Sequence, residues 1–293
     1  MQKVKTMQNI EREWVKNLLP HRRPETHKND YGRVLAVCGC KGYTGAAYFA
    51  AQSAVRMGSG VVTLAVPEAI YPVLAVKLNE PVVRPMPCDE AGRFSVNAVD
   101  ELLALAAHAD AMLLGCGLGR STALDELIFS MIRTARCPMV LDADGINALA
   151  GHIDVLREAK APCILTPHKG EFQRISGVVP ADADAEAAKR FAVENGCVLL
   201  LKSHRTLITA PDGRQMRNTT GNPGMAKGGS GDVLAGMLLS LLGQGLDAFD
   251  AACAGAWLHG AAGDRCAAEM GEYGMMPTDM LRALPHAVAD TIG

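Results

Sequence analysis

The feature that most constrains the fold is a series of short apolar segments that recur between longer amphipathic segments. Each is bounded by Gly, Pro or Asp, and several are apolar without alternation. Short unalternating apolar runs are typical of strands that are covered on both faces, and the amphipathic segments would be the covering helices. We therefore predict an α/β fold with a mostly parallel central sheet and helices on both faces. The predicted strands lie in "RVLAVCG", "GVVTLAVP", "AMLLGCG", "PMVLDAD", "PCILTP" and "CVLLLK".

A different pattern occurs in "TLITAPDGRQMRN", where Asp212-Gly213 separates two extended runs. An Asp-Gly pair in that position predicts a β-hairpin, so an antiparallel edge is expected there. No Ser- or Pro-rich linker interrupts the chain after Tyr31. We predict a single catalytic domain over residues 31–293, preceded by an N-terminal helical arm over residues 1–30.

Composition excludes some classes of function. The 293 residues carry a formal net charge of −2 with dispersed basic residues, which argues against a nucleic-acid-binding protein. The charged N-terminal residues lack the apolar run of a signal peptide, and the longest uncharged stretch, 233–246, falls short of the ~20 residues that cross a bilayer. The nine cysteines lie mostly in apolar runs and indicate reduced thiols. We expect a cytoplasmic protein with no membrane contact.

The stretch "NPGMAKGGSGDVLAG", residues 222–236, contains five glycines near Asp232 and leads into a predicted apolar helix. A glycine-rich turn followed by a helix start offers unpaired N–H groups with partial positive charge, which form an anion cradle. A carboxylate there repels the anion that the turn attracts. Asp232 is therefore either a helix N-cap or a group with a chemical role, and the string alone favours neither.

Glycine-rich turns also follow the first and third predicted strands, in "GCKGYTGAA", with a helix expected from about Thr44, and in "GCGLG", residues 115–119. The order G-x-G-x-x-G is absent, so a Rossmann dinucleotide site is not supported. After the fourth strand, Asp142 is a candidate for binding substrate hydroxyls or orienting a loop, whereas Asp144, with Asn147 at helical spacing, is interpreted as a helix cap.

His168 and Glu171 follow the fifth strand with a spacing that places both on one face of a helix start. They form either a capping arrangement or a group that organises a ligand or a magnesium-bound water, although one carboxylate is not a complete metal site. Three cations, Lys202, His204 and Arg205, leave the sixth strand, where they would suit the phosphate or base of a nucleotide.

Ligands of open α/β sheets bind at the carboxyl ends of the strands, where all of these residues lie. Cations, glycine cradles and one acid at a helix start form the arrangement expected for phosphoryl transfer. In that chemistry Asp232 would accept the proton of a substrate hydroxyl as a general base.

Taken in order, the motifs resemble those of the ADP-dependent (S)-NAD(P)H-hydrate dehydratases, metabolite-repair enzymes of the ribokinase-like superfamily. The resemblance runs from about His21 to the C-terminus, and its most specific part is "NPGMA" with the Gly-Asp-Val-Leu-Ala-Gly string after it. It implies a ribokinase-like three-layer fold. The motifs are "HRRPETHKNDYGRVLAVCGCKGYTGAA", "GCGLG", "VLDADGINAL", "LTPHKGEF", "LLKSHRT" and "NTTGNPGMAKGGSGDVLAG".

The substrate that this resemblance implies is NADH or NADPH that has taken up water across the C5–C6 bond of its nicotinamide ring. In that family ADP phosphorylates the new hydroxyl, and loss of phosphate restores the double bond, giving AMP and phosphate. The resemblance therefore implies a hydro-lyase acting on the S-epimer of the hydrate, with ADP as co-substrate and Mg²⁺ as cofactor. It also implies a homotetramer. Because residues before Tyr31 are too few for an epimerase domain, we expect a separate NAD(P)H-hydrate epimerase to act alongside it.

Residue by residue, the resemblance implies that Asp232 is the base and that Gly231 lies in the anion hole. It implies an indirect role for Glu171 in organising magnesium. The implied contacts are Ala46, Gly119, His168 and Asp232 for the hydrated dinucleotide, and Lys202, Ser203, His204, Arg205, Thr206 and Gly231 for the adenine nucleotide.

The sequence departs from the usual pattern of that family at Ser230, Gly145, Asn29 and Ser203. Ser203 stands where glycine is usual, so a need for positive φ at that position would strain the nucleotide loop.

Two alternatives remain at this point. One is a ribokinase-like, ATP-dependent small-molecule kinase, such as a vitamin-precursor kinase, which would stop at the phosphorylated product; the "YTGA" and "TPHKGEF" strings favour the dehydratase. The other is a non-catalytic nucleotide-binding module, against which the retained Asp232 argues.

Overall fold

The computed structural model describes residues 7–179 and 184–293. Within them, the strands form a single ten-stranded sheet. The strands are β1 Gln8–Asn9, β2 Arg33–Val37, β3 Val61–Pro67, β4 Val82–Met86, β5 Ala111–Leu114, β6 Met139–Leu141, β7 Cys163–Leu165, β8 Val198–Leu201, β9 Leu207–Thr209 and β10 Gln215–Arg217. Their order across the sheet is β1-β10-β9-β8-β7-β6-β5-β2-β3-β4.

All six predicted strands are present, as β2, β3, β5, β6, β7 and β8, and every pairing among them is parallel. The prediction of a mostly parallel sheet is confirmed. The apolar runs fail to alternate because each face of the sheet is covered: in β2, Val34 and Ala36 lie in one apolar core, whereas Leu35 and Val37 lie in the other.

The helices that cover the sheet lie on both faces, which confirms the three-layer arrangement. One core is built with residues of α1 Arg12–Leu18, α2 Thr44–Arg56, α3 Tyr71–Lys77, α9 Ser230–Gly243, α10 Ala248–Gly274 and α11 Pro277–Ile292. The other is built with residues of α4 Val99–Ala106, α5 Thr122–Thr134, α6 Asp144–Asn147, α7 Lys169–Ser176 and α8 Ala185–Asn195. The helix expected from about Thr44 is α2.

The edges of the sheet were harder to predict. The hairpin at Asp212-Gly213 is confirmed, since β9 and β10 are antiparallel and Gly213 has a φ of +83°. However, β1 pairs in parallel with β10 and forms the outermost strand. At the opposite edge, β4 is partly exposed and contains Pro85, which edge strands tolerate. Neither β1 nor β4 is a long apolar run, so both escaped the strand pattern.

Residues 7–30 include β1 and α1, and Val15 of α1 is fully buried in the core shared with α10 and α11. Residues 1–6 of the predicted arm lie outside the described residues, and the division into an arm and a catalytic domain stays a prediction. All nine cysteines are free thiols, and Cys88 is the one that is not buried. None of the helices in the described ranges is both long enough and apolar enough to span a membrane.

Helix α9 lies against α2, and Gly236 permits that close approach. A Cβ at Gly236 would overlap the carbonyl oxygen of Ala50 and the Oγ of Ser53, both on α2. The two helices begin at the same edge of the sheet, where the carboxyl ends of the parallel strands meet. Their contact therefore fixes the start of α9 relative to the glycine-rich turn before α2.

We predict that Gly236→Ala destabilises the protein by about 1 to 3 kcal/mol through overpacking, although alanine is the better helix former. Gly274→Ala is the matched control, because Gly274 is helical and exposed and no neighbouring atom lies within 4 Å of its added Cβ. The control should change stability by less than about 1 kcal/mol. Urea unfolding of both variants measures the difference, and equal stabilities would contradict the close contact.

Candidate functional site

The start of α9 lies over the carboxyl ends of β5 and β6, where open α/β sheets bind their ligands. Cys116 follows β5, and Asp142 follows β6 directly. A carboxylate oxygen of Asp232, one of Asp142 and the Sγ of Cys116 all lie within 4.8 Å of one another. With Lys202, these three residues are called the Asp232 cluster below.

The first turn of α9 leaves backbone donors free. Gly229 is its N-cap, in a left-handed conformation with a φ of +100°, and no side chain caps the helix. Ser230 N–H donates to the Lys227 carbonyl, and Val233 N–H to that of Gly229. In the part of the chain that the structure describes, the N–H groups of Gly231 and Asp232 bond no acceptor outside the helix. The N-cap alternative for Asp232 is wrong, because Gly229 holds that position.

Asp142 is 2% exposed and is bound by three protein donors. Its Oδ1 accepts from Thr166 Oγ1 at 2.7 Å and from Lys202 Nζ at 2.9 Å. Its Oδ2 lies 3.6 Å from the Sγ of Cys116, which donates to it. These contacts favour an orienting role for Asp142, since a buried and saturated carboxylate has little capacity left for a substrate hydroxyl.

Lys202 stays a cation in this site. Burial alone would lower its pKa, but the carboxylates of Asp142 and Glu171 outweigh that effect and hold the pKa above its ordinary value. A Cβ built on Gly231 would lie 3.5 Å from Lys202 Nζ. The ammonium group therefore adjoins the unpaired N–H groups of α9, and together they form a positive site for an anion.

Asp232 is half-buried and carries a perturbed carboxyl group. Burial raises its pKa to about 6, and the charge of Asp142 adds to the rise, whereas the Cys116 hydrogen bond and Lys202 lower the pKa. A carboxylate with a pKa near 6 is mostly ionised at neutral pH, yet it binds a proton more strongly than an ordinary aspartate. Both properties suit a general base.

Asp144 does not cap α6, so that interpretation was wrong. The N-cap of α6 is Ala143, and no side chain makes a cap bond there. The Asp144 Oδ2 instead accepts from the N–H of Gly119 at 2.9 Å. This hydrogen bond links the "GCGLG" turn after β5 to α6. Ala143 has a φ of +48°, a strained conformation for alanine. The strained residue separates the two aspartates that face different parts of the site.

A cavity of about 720 Å³ opens on one side of the α9 start. Its lining includes most of the residues that were predicted to contact a nucleotide, so the structure brings them together. Arg205 is exposed and does not line it. The predicted residues on its wall are His168, Lys202, Ser203, His204, Thr206 and Gly231.

Ala46 and Gly119, predicted to contact the dinucleotide, lie outside that wall: Ala46 is in the first turn of α2, and Gly119 is on the turn that follows β5. A Cβ built on Gly117 would lie 2.8 Å from the Cβ of Ala46, so the two turns touch. His168 belongs to the cavity instead, because its backbone forms a parallel bridge with Lys202. The predicted residues thus form two groups, and the Asp232 cluster lies where they meet.

His168 and Glu171 form a capping box at the start of α7, which confirms the capping interpretation. The buried Glu171 carboxylate accepts from His168 N–H at 2.8 Å. Among the described residues, Cys116, Asp142 and Asp232 form the one group of three side chains close enough to hold a metal, but one of them is a thiol and Asp142 is paired with Lys202. Mg²⁺ prefers oxygen ligands, so these residues do not form an all-protein magnesium site.

Ser203 avoids the strain that a required positive φ would impose. Among the described non-glycine residues, Ala143 alone has a positive φ. The Ser203 carbonyl accepts from Thr206 Oγ1 at 3.2 Å, and its Oγ accepts from Arg205 N–H at 3.2 Å. Serine therefore closes this turn by local hydrogen bonds.

His259 on α10 was missed. It lines the cavity, and its Nε2 lies 3.0 Å from the carbonyl oxygen of Ser230, the first residue of α9. Burial lowers its pKa to about 4, so the ring is neutral at neutral pH and donates to that carbonyl. The one signal in the sequence is an imidazole set among small apolar residues in "AGAWLHGAAG".

We predict that His259 makes the protein less stable as the pH falls. The unfolded chain takes up a proton near pH 6.5, whereas the folded chain does so near 4, so stability is full above 6.5 and falls between these values. Between pH 7 and pH 5 the natural protein should lose about 2 kcal/mol more than His259→Gln. Urea unfolding at both pH values measures this. His286→Gln, at an exposed histidine, should behave like the natural protein.

The sequence profile described as NAD(P)H-hydrate dehydratase matches residues 34–286. A bifunctional NAD(P)H-hydrate repair enzyme of Moorella thermoacetica is 44% identical over 94% of this chain and 52% of its own length. An ADP-dependent (S)-NAD(P)H-hydrate dehydratase of Neisseria meningitidis is 36% identical over 83% of this chain and 80% of its own. The chain spans about half the length of the bifunctional relatives that it matches.

Two solved structures are similar over almost the whole chain. The ADP/ATP-dependent NAD(P)H-hydrate dehydratase of Bacillus subtilis, co-crystallised with ATP and Mg²⁺, is 30% identical with a TM-score of 0.84, covering 98% of this chain and 100% of that one. A ribokinase-like superfamily protein of Enterococcus faecalis is 26% identical with a TM-score of 0.85, covering 99% and 98%. The ribokinase-like fold is confirmed. By these matches in sequence and in structure, the chain belongs to the NAD(P)H-hydrate dehydratase family.

Proposed function

We propose that this protein catalyses the ADP-dependent dehydration of the S-epimer of NADH or NADPH hydrate, which restores the dinucleotide and yields AMP and phosphate. One observation carries the proposal: the Asp232 carboxylate, with a pKa of about 6, adjoins unpaired helix N–H groups and the Lys202 ammonium beside a large cavity. A base and an anion site in contact are what a hydroxyl needs to attack a phosphate.

In the first step, Asp232 accepts the proton of the hydrate's hydroxyl while that oxygen attacks the terminal phosphorus of ADP. The bond from that phosphorus to the bridging oxygen breaks, and AMP leaves. The N–H groups of Gly231 and Asp232, with Lys202, stabilise the negative charge on the transferring group. In the second step the phosphate leaves the ring carbon, a proton leaves the neighbouring carbon, and the double bond returns.

The cavity suits the nucleotide, because it holds the predicted segment from Lys202 to Thr206 next to the phosphate site. Ser203, His204 and Thr206 then contact the nucleotide, and Arg205 contributes from the exposed side of that turn. The hydrated dinucleotide lies toward Ala46 and Gly119, whereas His168 lines the cavity on the nucleotide side. Asp232 faces both ligands from between the two groups.

Magnesium fits this site as a partner of the nucleotide phosphates. Mg²⁺ usually keeps several waters and takes only one or two carboxylates, so an all-protein cage is not required. Glu171 lies close enough to Lys202 to influence its pKa, and it would act on the ion indirectly. When bound, Mg²⁺ neutralises phosphate charge.

The same resemblance supports a homotetramer that works with an NAD(P)H-hydrate epimerase activity, and the free cysteines agree with a cytoplasmic setting. These are proposals about the assembly and the setting of the chain. The relative of Moorella thermoacetica is named as a bifunctional repair enzyme and is about twice as long as the matched segment.

We predict that Asp232→Asn lowers the rate of dehydration at least about a hundredfold, because the amide cannot accept the hydroxyl proton. The assay combines purified protein, Mg²⁺, ADP and chemically hydrated NADH, and follows the return of dihydronicotinamide absorbance and the release of AMP. Asp212→Asn, an exposed hairpin residue, is the matched control and should keep full activity.

Other outcomes of this assay decide between the alternatives. Full turnover by Asp232→Asn would show that Asp232 is not the general base. A phosphorylated product that accumulates without recovery of absorbance would identify a kinase. Nucleotide binding without turnover of hydrate or of any kinase substrate would identify a binding module.

We predict that kcat/KM of the natural protein rises with pH through about 6 and then levels off. The base must be ionised to act, and kcat/KM reports the pKa of the free enzyme, which is about 6 for Asp232. Steady-state rates between pH 5 and pH 8 measure the profile. A profile that is nearly flat from pH 8 down to pH 5, as for an ordinary aspartate with a pKa near 4, would contradict the raised pKa.

A further inference from the structure

A buried thiol lies between the two carboxylates of the Asp232 cluster. Cys116 is fully buried at the end of β5, and its Sγ lies 3.6 Å from Asp142 Oδ2. The Sγ of Cys116 also lies within 4.8 Å of a carboxylate oxygen of Asp232, and one oxygen of Asp142 lies within that distance of both. The mechanism proposed above makes no use of this thiol.

The thiol lies beside two carboxylates that repel each other. Two carboxylates this close disfavour each other's ionisation. Lys202 bonds Oδ1 of Asp142, whereas Oδ2 accepts from Cys116, whose Sγ also lies near the Asp232 carboxylate. A neutral donor at that point stabilises the charged form of each carboxylate without adding a charge of its own.

Cys116 is suited to be that donor because it keeps its proton. A hydrogen bond with the Cys38 thiol, burial and the adjacent carboxylates all raise the pKa of Cys116 well above its ordinary value. A thiol in this state can donate to a carboxylate, whereas a thiolate would repel it.

The other groups that act on Asp232 come from three elements. Asp142 and Asp144, at the end of β6 and in α6, disfavour its ionisation, and Lys202, at the end of β8, favours it. His259 of α10 is neutral and bonds the Ser230 carbonyl. Of the two groups that favour its ionisation, Lys202 is charged and Cys116 is neutral.

We propose that Cys116 is a positioning residue for the general base, which shares its thiol proton between Asp142 and Asp232 and so keeps Asp232 ionised and aimed at the substrate. This inference rests on the proposed function for its kinetic consequence. It gives Cys116, the cysteine of the "GCGLG" string, a role beside the glycines of that turn.

The test compares Cys116→Ala, which removes the donor, with Cys116→Ser, which replaces it by a hydroxyl. In Cys116→Ala the acidic limb of kcat/KM should move to higher pH by about one pH unit. At pH 6 the rate should fall about fivefold, whereas at pH 8 it should be nearly unchanged because the base is ionised in both proteins. In Cys116→Ser the acidic limb of kcat/KM should lie at the same pH as in the natural protein.

Cys253→Ala is the matched control, since Cys253 is equally buried but lies in α10. Cys253→Ala should not shift the acidic limb of kcat/KM. If Cys116→Ala does not fold, Cys116→Val also lacks a donor and fills more of the volume. A loss of activity that is the same at every pH, or a limb that does not move, would overturn the proposal.

A second measurement needs no substrate. Titration of the Asp232 carboxyl carbon by ¹³C NMR, with Asp232→Asn to assign the resonance, should show a higher pKa in Cys116→Ala than in the natural protein. An unchanged titration would overturn the proposal. If the natural protein restores no hydrated NADH, the proposed function fails, and the NMR comparison still decides whether Cys116 supports the ionised state of Asp232.

Discussion

The ion pair between the buried Asp142 and the partly exposed Lys202 is the interaction on which the site depends. It joins the end of β6 to the end of β8 across β7, with 2.9 Å between Lys202 Nζ and Asp142 Oδ1. Thr166 Oγ1 donates a hydrogen bond to the same carboxylate oxygen. Burying the carboxylate costs desolvation free energy, which the attraction of its partner offsets only in part. The pair is therefore weak evidence for stability. Its value is positional, because it holds an ammonium group under the first turn of α9.

The positive site has a second component in the backbone of α9. Gly229 begins the helix without a side-chain cap, so the donors that a cap would bond stay available. His259 holds the same turn from α10 through the Ser230 carbonyl, and the close packing of α2 on α9 fixes the helix from the other side. A helix start held from two sides needs little reorganisation when an anion arrives, which is how fixed dipoles contribute most to catalysis.

The amino-acid sequence predicted the parts of this structure that local patterns report. Unalternating apolar runs predicted six strands, because their two covered faces remove the period of two. The edge strands β1 and β4 lack that signal. In the site, Asp232, Gly231 and Lys202 were identified from their positions at helix and strand ends. His259, Cys116 and the bond of Asp144 to Gly119 depend on contacts between residues that are 25 or more positions apart. No local pattern reports such contacts.

The apparent conflict of an acid inside an anion cradle becomes useful in the proposed reaction. Burial and the charge of Asp142 raise the pKa of Asp232, and Cys116 and Lys202 lower it, so that it is about 6. An arriving phosphate adds negative charge near the carboxylate, and that raises its pKa further. The affinity of Asp232 for a proton therefore increases at the moment when the substrate hydroxyl must release one. Repulsion between the base and the phosphate then favours proton transfer, provided that Lys202 and the helix donors keep the phosphate bound.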